Sequence, residues 1–156
     1  MHIFPLARKV NSYNTVAPCK FGYPRNDGRK HGGCDLGAPA GTEVFAIDDG
    51  VVVEVSSNFK NGTSVVSIEH GDYTDDDYCE IRYGEVDSVR VQLGAKVKKG
   101  DVIAKVGIQS GGTQLHLEMY SGAESGPFLQ VNNLPYKRRS DIVDPTPFLD
   151  SWPVKP

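Results

Sequence analysis

The chain has 156 residues and a formal net charge of −3, enough length for one domain with a hydrophobic core of its own. That acidic balance argues against a nucleic acid or an anionic membrane surface as the partner. No run approaches the roughly 20 apolar residues of a membrane-spanning helix. Charge is dispersed, except in Asp75-Asp76-Asp77 and Lys137-Arg138-Arg139, which read as solvated loops.

Residues 1–30 read as irregular structure, because Pro5, Pro18, Pro24, Asn11, Asn14 and Asn26-Asp27-Gly28 break every run before a strand or helix builds. Proline and polar residues come early and no long apolar segment follows the first charges, so a signal peptide is not expected. Action outside the cytoplasm would then need another delivery route. His2 reads as a free terminus. Cys19, Cys34 and Cys79 form an odd count in a chain too large to need stapling. For Cys19 and Cys34 two readings stand, a disulfide closing a short loop or two thiols buried as small apolar groups.

From Thr42 the pattern becomes one of strands. Residues 43–47 and 51–55 flank Asp48-Asp49-Gly50, a turn signal that predicts a β-hairpin. Phe59-Lys60-Asn61-Gly62 turns the chain into a strand over 64–70, residues 71–77 form a polar exposed loop, and 78–83 suit the next strand. Residues 89–91 and 96–97 bracket Gly94. Lys98-Lys99-Gly100-Asp101 then turns into a strand over 102–106, and 107–113 is a loop with three glycines. Residues 114–120 alternate cleanly, with Leu115, Leu117 and Met119 on one face and Gln114, His116, Glu118 and Tyr120 on the other. No window carries a sustained 3.6-residue apolar repeat. The expected fold is a single all-β domain over residues 1–156, mostly antiparallel, with a proline-containing segment 121–156 wrapping the sheet and ending in a short turn near residues 144–149.

Two stretches carry chemistry: His31-Gly32-Gly33-Cys34-Asp35 and Gln114-Leu115-His116-Leu117-Glu118. Two imidazoles and a carboxylate suit zinc with one position open for water. A Gly-Gly pair costs about 1 kcal/mol per residue inside a helix, so His31 and Asp35 belong on a tight loop entering a strand. Cys34 is an alternative ligand to Asp35. Adjacent side chains of an extended segment face opposite ways, so only one of the two reaches the ion.

These residues carry a resemblance. Residues 28–36, Ala38-Pro39-Ala40-Gly41-Thr42-Glu43-Val44 and Asp49-Gly50-Val51-Val52 resemble the first metal segment and hairpin of the lysostaphin-type (LytM-like) zinc endopeptidases. Residues 97–107 are similar to that family's glycine-rich segment, Leu115-His116-Leu117-Glu118 to its last ligand strand, and Asp144-Pro145-Thr146-Pro147-Phe148-Leu149 to its C-terminal ending. The likeness runs in the family's order over about residues 21–150, which is far more specific than an isolated His-x-x-x-Asp. It implies a zinc-dependent hydrolase cutting peptide cross-links of bacterial peptidoglycan, with His31, Asp35 and His116 as ligands. Two positions depart from the pattern: Gln114 stands where the family has the first histidine of a His-x-His pair, and Tyr83-Gly84-Glu85 stands where it has Tyr-Ala-His.

Both usual assisting histidines are thus replaced. Glu85, a carboxylate, is able to take a proton from water, and the Gln114 amide to donate to an oxyanion, so a working site is chemically reasonable. The other reading makes Glu85 a solvated loop carboxylate, Gln114 a surface amide, and the domain a zinc-stabilised module that binds wall peptide or a protein partner. His70 reads as a strand-capping residue or an assisting imidazole. Glu118 either orients His116 or forms a salt bridge. Tyr13, Tyr23, Tyr73 and Tyr83 are read as peptide-groove or core aromatics. A small wall hydrolase lacking an export signal fits an effector from an injection machinery, with an immunity protein as partner, or a phage-encoded lytic protein.

Overall fold

The computed structural model describes residues 1–156. Nine strands join one sheet: β1 (Cys34–Gly37), β2 (Glu43–Phe45), β3 (Gly50–Ser56), β4 (Ser64–His70), β5 (Cys79–Asp87), β6 (Lys96–Val97), β7 (Val102–Val106), β8 (Gln114–Tyr120) and β9 (Ile142–Val143). Only two short α-helices occur, α1 (Ser12–Thr15) and α2 (Thr146–Ser151). No helix is long and apolar enough to cross a membrane. The strand path is β1-β8-β5-β4-β3-β6, with β2 on β7, β7 on the end of β5, and β9 on β8, every pairing antiparallel.

The period-2 pattern of β8 sets the geometry. Leu115, Leu117 and Met119 join Ile81 and Tyr83 of β5, Ile68 of β4 and Leu36 of β1 in the main core. Gln114, His116, Glu118 and Tyr120 occupy the opposite face of the sheet. That second face is also buried, because residues 121–143 fold across it.

The anticipated hairpin across Asp48-Asp49-Gly50 is not formed. β2 pairs with β7, Val44 opposite Ala104, while β3 pairs with β4 and β6. The corner is spent on distant partners. The Ala46 N–H donates to the Asp101 carbonyl, the Gly100 N–H to the Ala46 carbonyl, and the Lys99 N–H to Asp49 Oδ1. Gly50 serves close approach rather than a turn, since a Cβ there would run into the Glu69 carbonyl of β4.

Two polar readings are also corrected. His2 is buried, with Nδ1 2.8 Å from Asp48 Oδ2 and Nε2 2.8 Å from the Asp77 carbonyl. It is followed into the core by Ile3, Phe4 and Leu6, and the Phe4 N–H donates to the Pro153 carbonyl at 2.7 Å. The 137–139 run is no solvated loop either. Arg139 is buried between Glu80 and Asp141, at 2.7 Å from each, and Arg138 lies against Glu118.

Candidate metal centre

His31 is delivered by a small hairpin. Its N–H donates to the Tyr23 carbonyl at 2.9 Å, and its own carbonyl accepts from Gly22 N–H at 2.8 Å. The ring is oriented by the Lys20 carbonyl, 2.9 Å from Nδ1. A carbonyl only accepts, so Nδ1 carries the proton and the Nε2 lone pair is free. Asp35 lies in β1 directly opposite His116 of β8. Gly33 allows that approach: a Cβ there would sit 2.5 Å from the Leu117 carbonyl and 2.9 Å from the His116 ring.

His116 is oriented by the strand that carries it. Its Nε2 donates to Glu118 Oε2 at 2.8 Å, which leaves Nδ1 as the lone-pair nitrogen. Nδ1 stands 2.9 Å from Asp35 Oδ1 and 3.3 Å from His31 Nε2, and His31 Nε2 stands 3.4 Å from Asp35 Oδ1. Ligand bonds of 2.0–2.1 Å at tetrahedral angles separate donor atoms by about 3.3 Å. Once the proton that His116 and Asp35 otherwise share has left, three electron-pair donors meet close to the spacing a zinc ion needs.

Glu118 does both things expected of it. Besides His116 it meets Arg82 Nη1 at 3.1 Å, Arg138 Nη2 at 3.1 Å and the Tyr120 hydroxyl at 2.6 Å, with no exposed surface. Burial opposes its charge, but the His116 hydrogen bond and the two guanidinium groups hold its carboxyl well below the usual range. Asp35 is likewise held low, its burial outweighed by hydrogen bonds from His116 and His31. Burial alone would lower His116; its carboxylate partners Asp35 and Glu118 prevail and raise it to about 9.

Glu85 reaches the site through a bulge. Val65 pairs with Gly84 and Ser64 with Val86, so Glu85 is the extra residue, and its φ is +60°. Strict alternation would turn its side chain away from the face that Gly84 shares with His116. The left-handed residue turns it back, a conformation a non-glycine residue adopts at a cost of order 1 kcal/mol. Glu85 Oε1 accepts from the amides of Gln109 and Gln114, each at 2.6 Å, while Oε2 lies 3.8 Å from His116 Nδ1. With only 2% of its surface exposed, Glu85 is not a solvated loop carboxylate, and Gln114 is half-buried against it.

Other expected residues lie elsewhere. Tyr83 is wholly buried, its hydroxyl 2.8 Å from His70 Nε2, and His70 Nδ1 donates to the Asp49 carbonyl at 3.1 Å. This pair belongs to the core behind the sheet, so neither lines the groove. The reason is parity: Tyr83 shares the β5 face of Ile81, opposite that of Arg82 and Gly84. Tyr13 is core, bonded to Asp150, and Tyr73 is exposed and stacked on Tyr78. Cys19, Cys34 and Cys79 are all free thiols. Cys34 faces away from Asp35, its Sγ 3.5 Å from Thr146 Oγ1, which removes both the loop disulfide and the alternative ligand. A second group, His2 with Asp48 and Asp77, has both ring nitrogens facing oxygen acceptors already and serves as a clasp for residues 1–6.

The centre opens into a groove of about 450 Å³ whose walls include Arg25, Arg29, Phe59, Lys60 and Arg138. None of these was expected at the site from sequence: Arg138 read as part of a solvated loop and Phe59-Lys60 as a turn. The turn signal Asn26-Asp27-Gly28 was the available clue, since a turn there sets its flanking arginines opposite each other.

The model of Peptidase family M23 matches residues 29–127. An uncharacterized metalloprotease of Buchnera aphidicola subsp. Baizongia pistaciae is 27% identical over 121 residues, covering 75% of this chain and 30% of that protein. The lipoprotein YgeR of Escherichia coli K12 is 28% identical over 74% of this chain and 44% of its own length, so the chain spans less than half of these relatives. Among solved structures, LytU is 30% identical with TM-score 0.59, covering 80% of this chain and 75% of that one. A zinc-containing peptidase from Vibrio cholerae is 26% identical with TM-score 0.59, over 76% and 36%. The catalytic domain of the antimicrobial peptidase lysostaphin from Staphylococcus simulans shares the fold at 23% identity and TM-score 0.59, over 97% and 90%.

Proposed function

Because the chain belongs to peptidase family M23, we propose that it is a zinc-dependent endopeptidase acting on peptide cross-links of bacterial peptidoglycan. The observation that carries this reading is the meeting of His31 Nε2, Asp35 Oδ1 and His116 Nδ1 at 2.9–3.4 Å, beside a carboxylate oxygen with no other partner. Zinc held by these three groups supplies Lewis-acid polarisation of a carbonyl and acidifies water.

The chain's own residues do the rest. Glu85 uses Oε2 to take the proton of the attacking water and later returns it to the leaving amine. Gln109 and Gln114 fix Oε1, so the carboxylate cannot swing away. Gln114 spends one amide N–H on Glu85 and keeps the other for the developing oxyanion. Glu118 orients His116, and the Lys20 carbonyl orients His31.

Glu85→Gln tests the assignment. Turnover of purified peptidoglycan should fall by about 100-fold or more, the range of a lost general base, while bound zinc stays stoichiometric. A variant as active as the parent means that Glu85 is not the base. One observation favours a binding module instead: two amides already occupy Glu85 Oε1, which suits a fixed acceptor as well as a base. Clearing of outer-membrane-permeabilised cells separates the two, since chelator-sensitive clearing supports the enzyme and binding without clearing supports the module. A wall substrate also places the site of action at the cell wall or periplasm. Expression behind a signal peptide should then be lytic and cytoplasmic expression harmless; equal harmlessness counts against a wall target.

A further inference from the structure

We propose that Arg25 and Arg29 form a carboxylate-binding subsite beside the metal centre, so that the protein selects cross-linked peptides carrying a free carboxylate near the scissile amide. This rests on the peptidase reading and adds a substrate class to it. The two arginines face each other across the hairpin that delivers His31: the Arg25 N–H donates to the Arg29 carbonyl at 2.7 Å, with Gly28 at φ +82° completing the turn. Both line the groove that contains His31, Asp35, Glu85 and His116.

The charge of this groove runs against that of the molecule. The chain carries −3 overall, yet the groove walls present four cations, Arg25, Arg29, Lys60 and Arg138, against two carboxylates, Asp35 and Glu85. Arg138 is committed to Glu118. Arg25 forms no ion pair, and Arg29 only a long one, 4.0 Å from exposed Asp27. The Nε of each is shielded from solvent without a hydrogen-bond acceptor. A shielded donor left unpaired is costly, and a guanidinium fork matches a carboxylate in two parallel hydrogen bonds. A neutral peptide such as a run of glycines offers these groups nothing. A stem peptide with a free carboxylate offers the two guanidinium groups an acceptor of opposite charge.

Two positions supply that carboxylate: the residue that gives the amine of the scissile amide, and the end of the stem. Three synthetic cross-linked peptides distinguish them, one with both carboxylates free and two with one or the other converted to carboxamide, alongside a fully amidated form. Equilibrium binding to the zinc-loaded chain should favour the free-carboxylate peptide over the fully amidated one by about tenfold, the scale of a charge-assisted bidentate pair. Whichever single amidation removes the preference identifies the source. The preference should shrink as salt is raised.

In Arg25→Gln/Arg29→Gln the ratio should fall to near one, and in Arg29→Gln alone to an intermediate value. Arg90→Gln, which removes the same charge from the exposed segment after β5, should keep it. Equal binding of all four peptides by the parent chain, or an unchanged ratio in the double variant, would overturn the subsite. Cleavage is followed in the same samples. A carboxylate preference in binding with no cleavage of any peptide would overturn the peptidase reading and leave the subsite standing.

Discussion

His70 and His116 lie on the same sheet and are pushed in opposite directions. Burial depresses His70 to about 4, with the Asp49 hydrogen bond opposing it, whereas the carboxylates around His116 overcome burial and raise it to about 9. For His70 the unfolded chain takes up a proton below 6.5 and the folded chain only near 4. Its stabilising effect is therefore complete above 6.5 and disappears as pH falls toward 4, a loss of about 3 kcal/mol at 1.36 kcal/mol per pH unit. Urea unfolding at about pH 7 and about pH 4.5 should show a smaller difference for His70→Gln than for the parent chain. An equal pH dependence would show that His70 is not the group responsible. Residue types at the metal centre were legible because ligand chemistry is local to His31, Asp35 and His116. The place of Glu85 was not, since a single bulged residue with φ +60° reverses a side chain without any mark in the alternation pattern.

Strands β4, β7 and β8 were readable from alternation and β-branched content, and their bounds match the pattern. The pairing of β2 was not, because a turn signal reports only what is adjacent in sequence, while β7 offers a longer apolar edge some sixty residues away. Glycine positions carry the information that holds these elements together. At Gly84 of β5 a Cβ would stand 2.6 Å from the Phe59 ring and 3.3 Å from His116 Cδ2. Gly84→Ala should destabilise the chain by about 1–3 kcal/mol in denaturant unfolding, and Phe59→Leu should relieve most of that loss. Additive effects of the two substitutions would deny the contact. On β8, Glu118→Gln leaves Arg82 and Arg138 short of a buried charge. Unfolding should become easier by about 3 kcal/mol, and zinc affinity should drop about 10–100-fold in a competition titration. Unaltered affinity would mean that Glu118 only neutralises the arginines.

At the scale of the molecule, the ends of the chain close the core that the sheet leaves open. Phe4, Leu149 and Trp152 pack together with the strand residues, and the Phe4 N–H reaches Pro153. Residues 1–30 hold the one-turn helix α1 despite their proline and asparagine, and the burial of their first residues was not legible, because irregular backbone is compatible with burial. Phe4→Ala should cost about 3–5 kcal/mol, the loss expected for a fully buried aromatic side chain. A loss under about 1 kcal/mol would place residues 1–6 outside the cooperative unit. The proposed chemistry requires one ion to join two distant segments of the chain. Diffraction from zinc-soaked crystals, recorded on both sides of the zinc absorption edge, tests it most directly. The expected result is a single anomalous peak about 2.0–2.2 Å from His31 Nε2, His116 Nδ1 and an Asp35 carboxylate oxygen. A peak held by other residues, or none between these three, would contradict it.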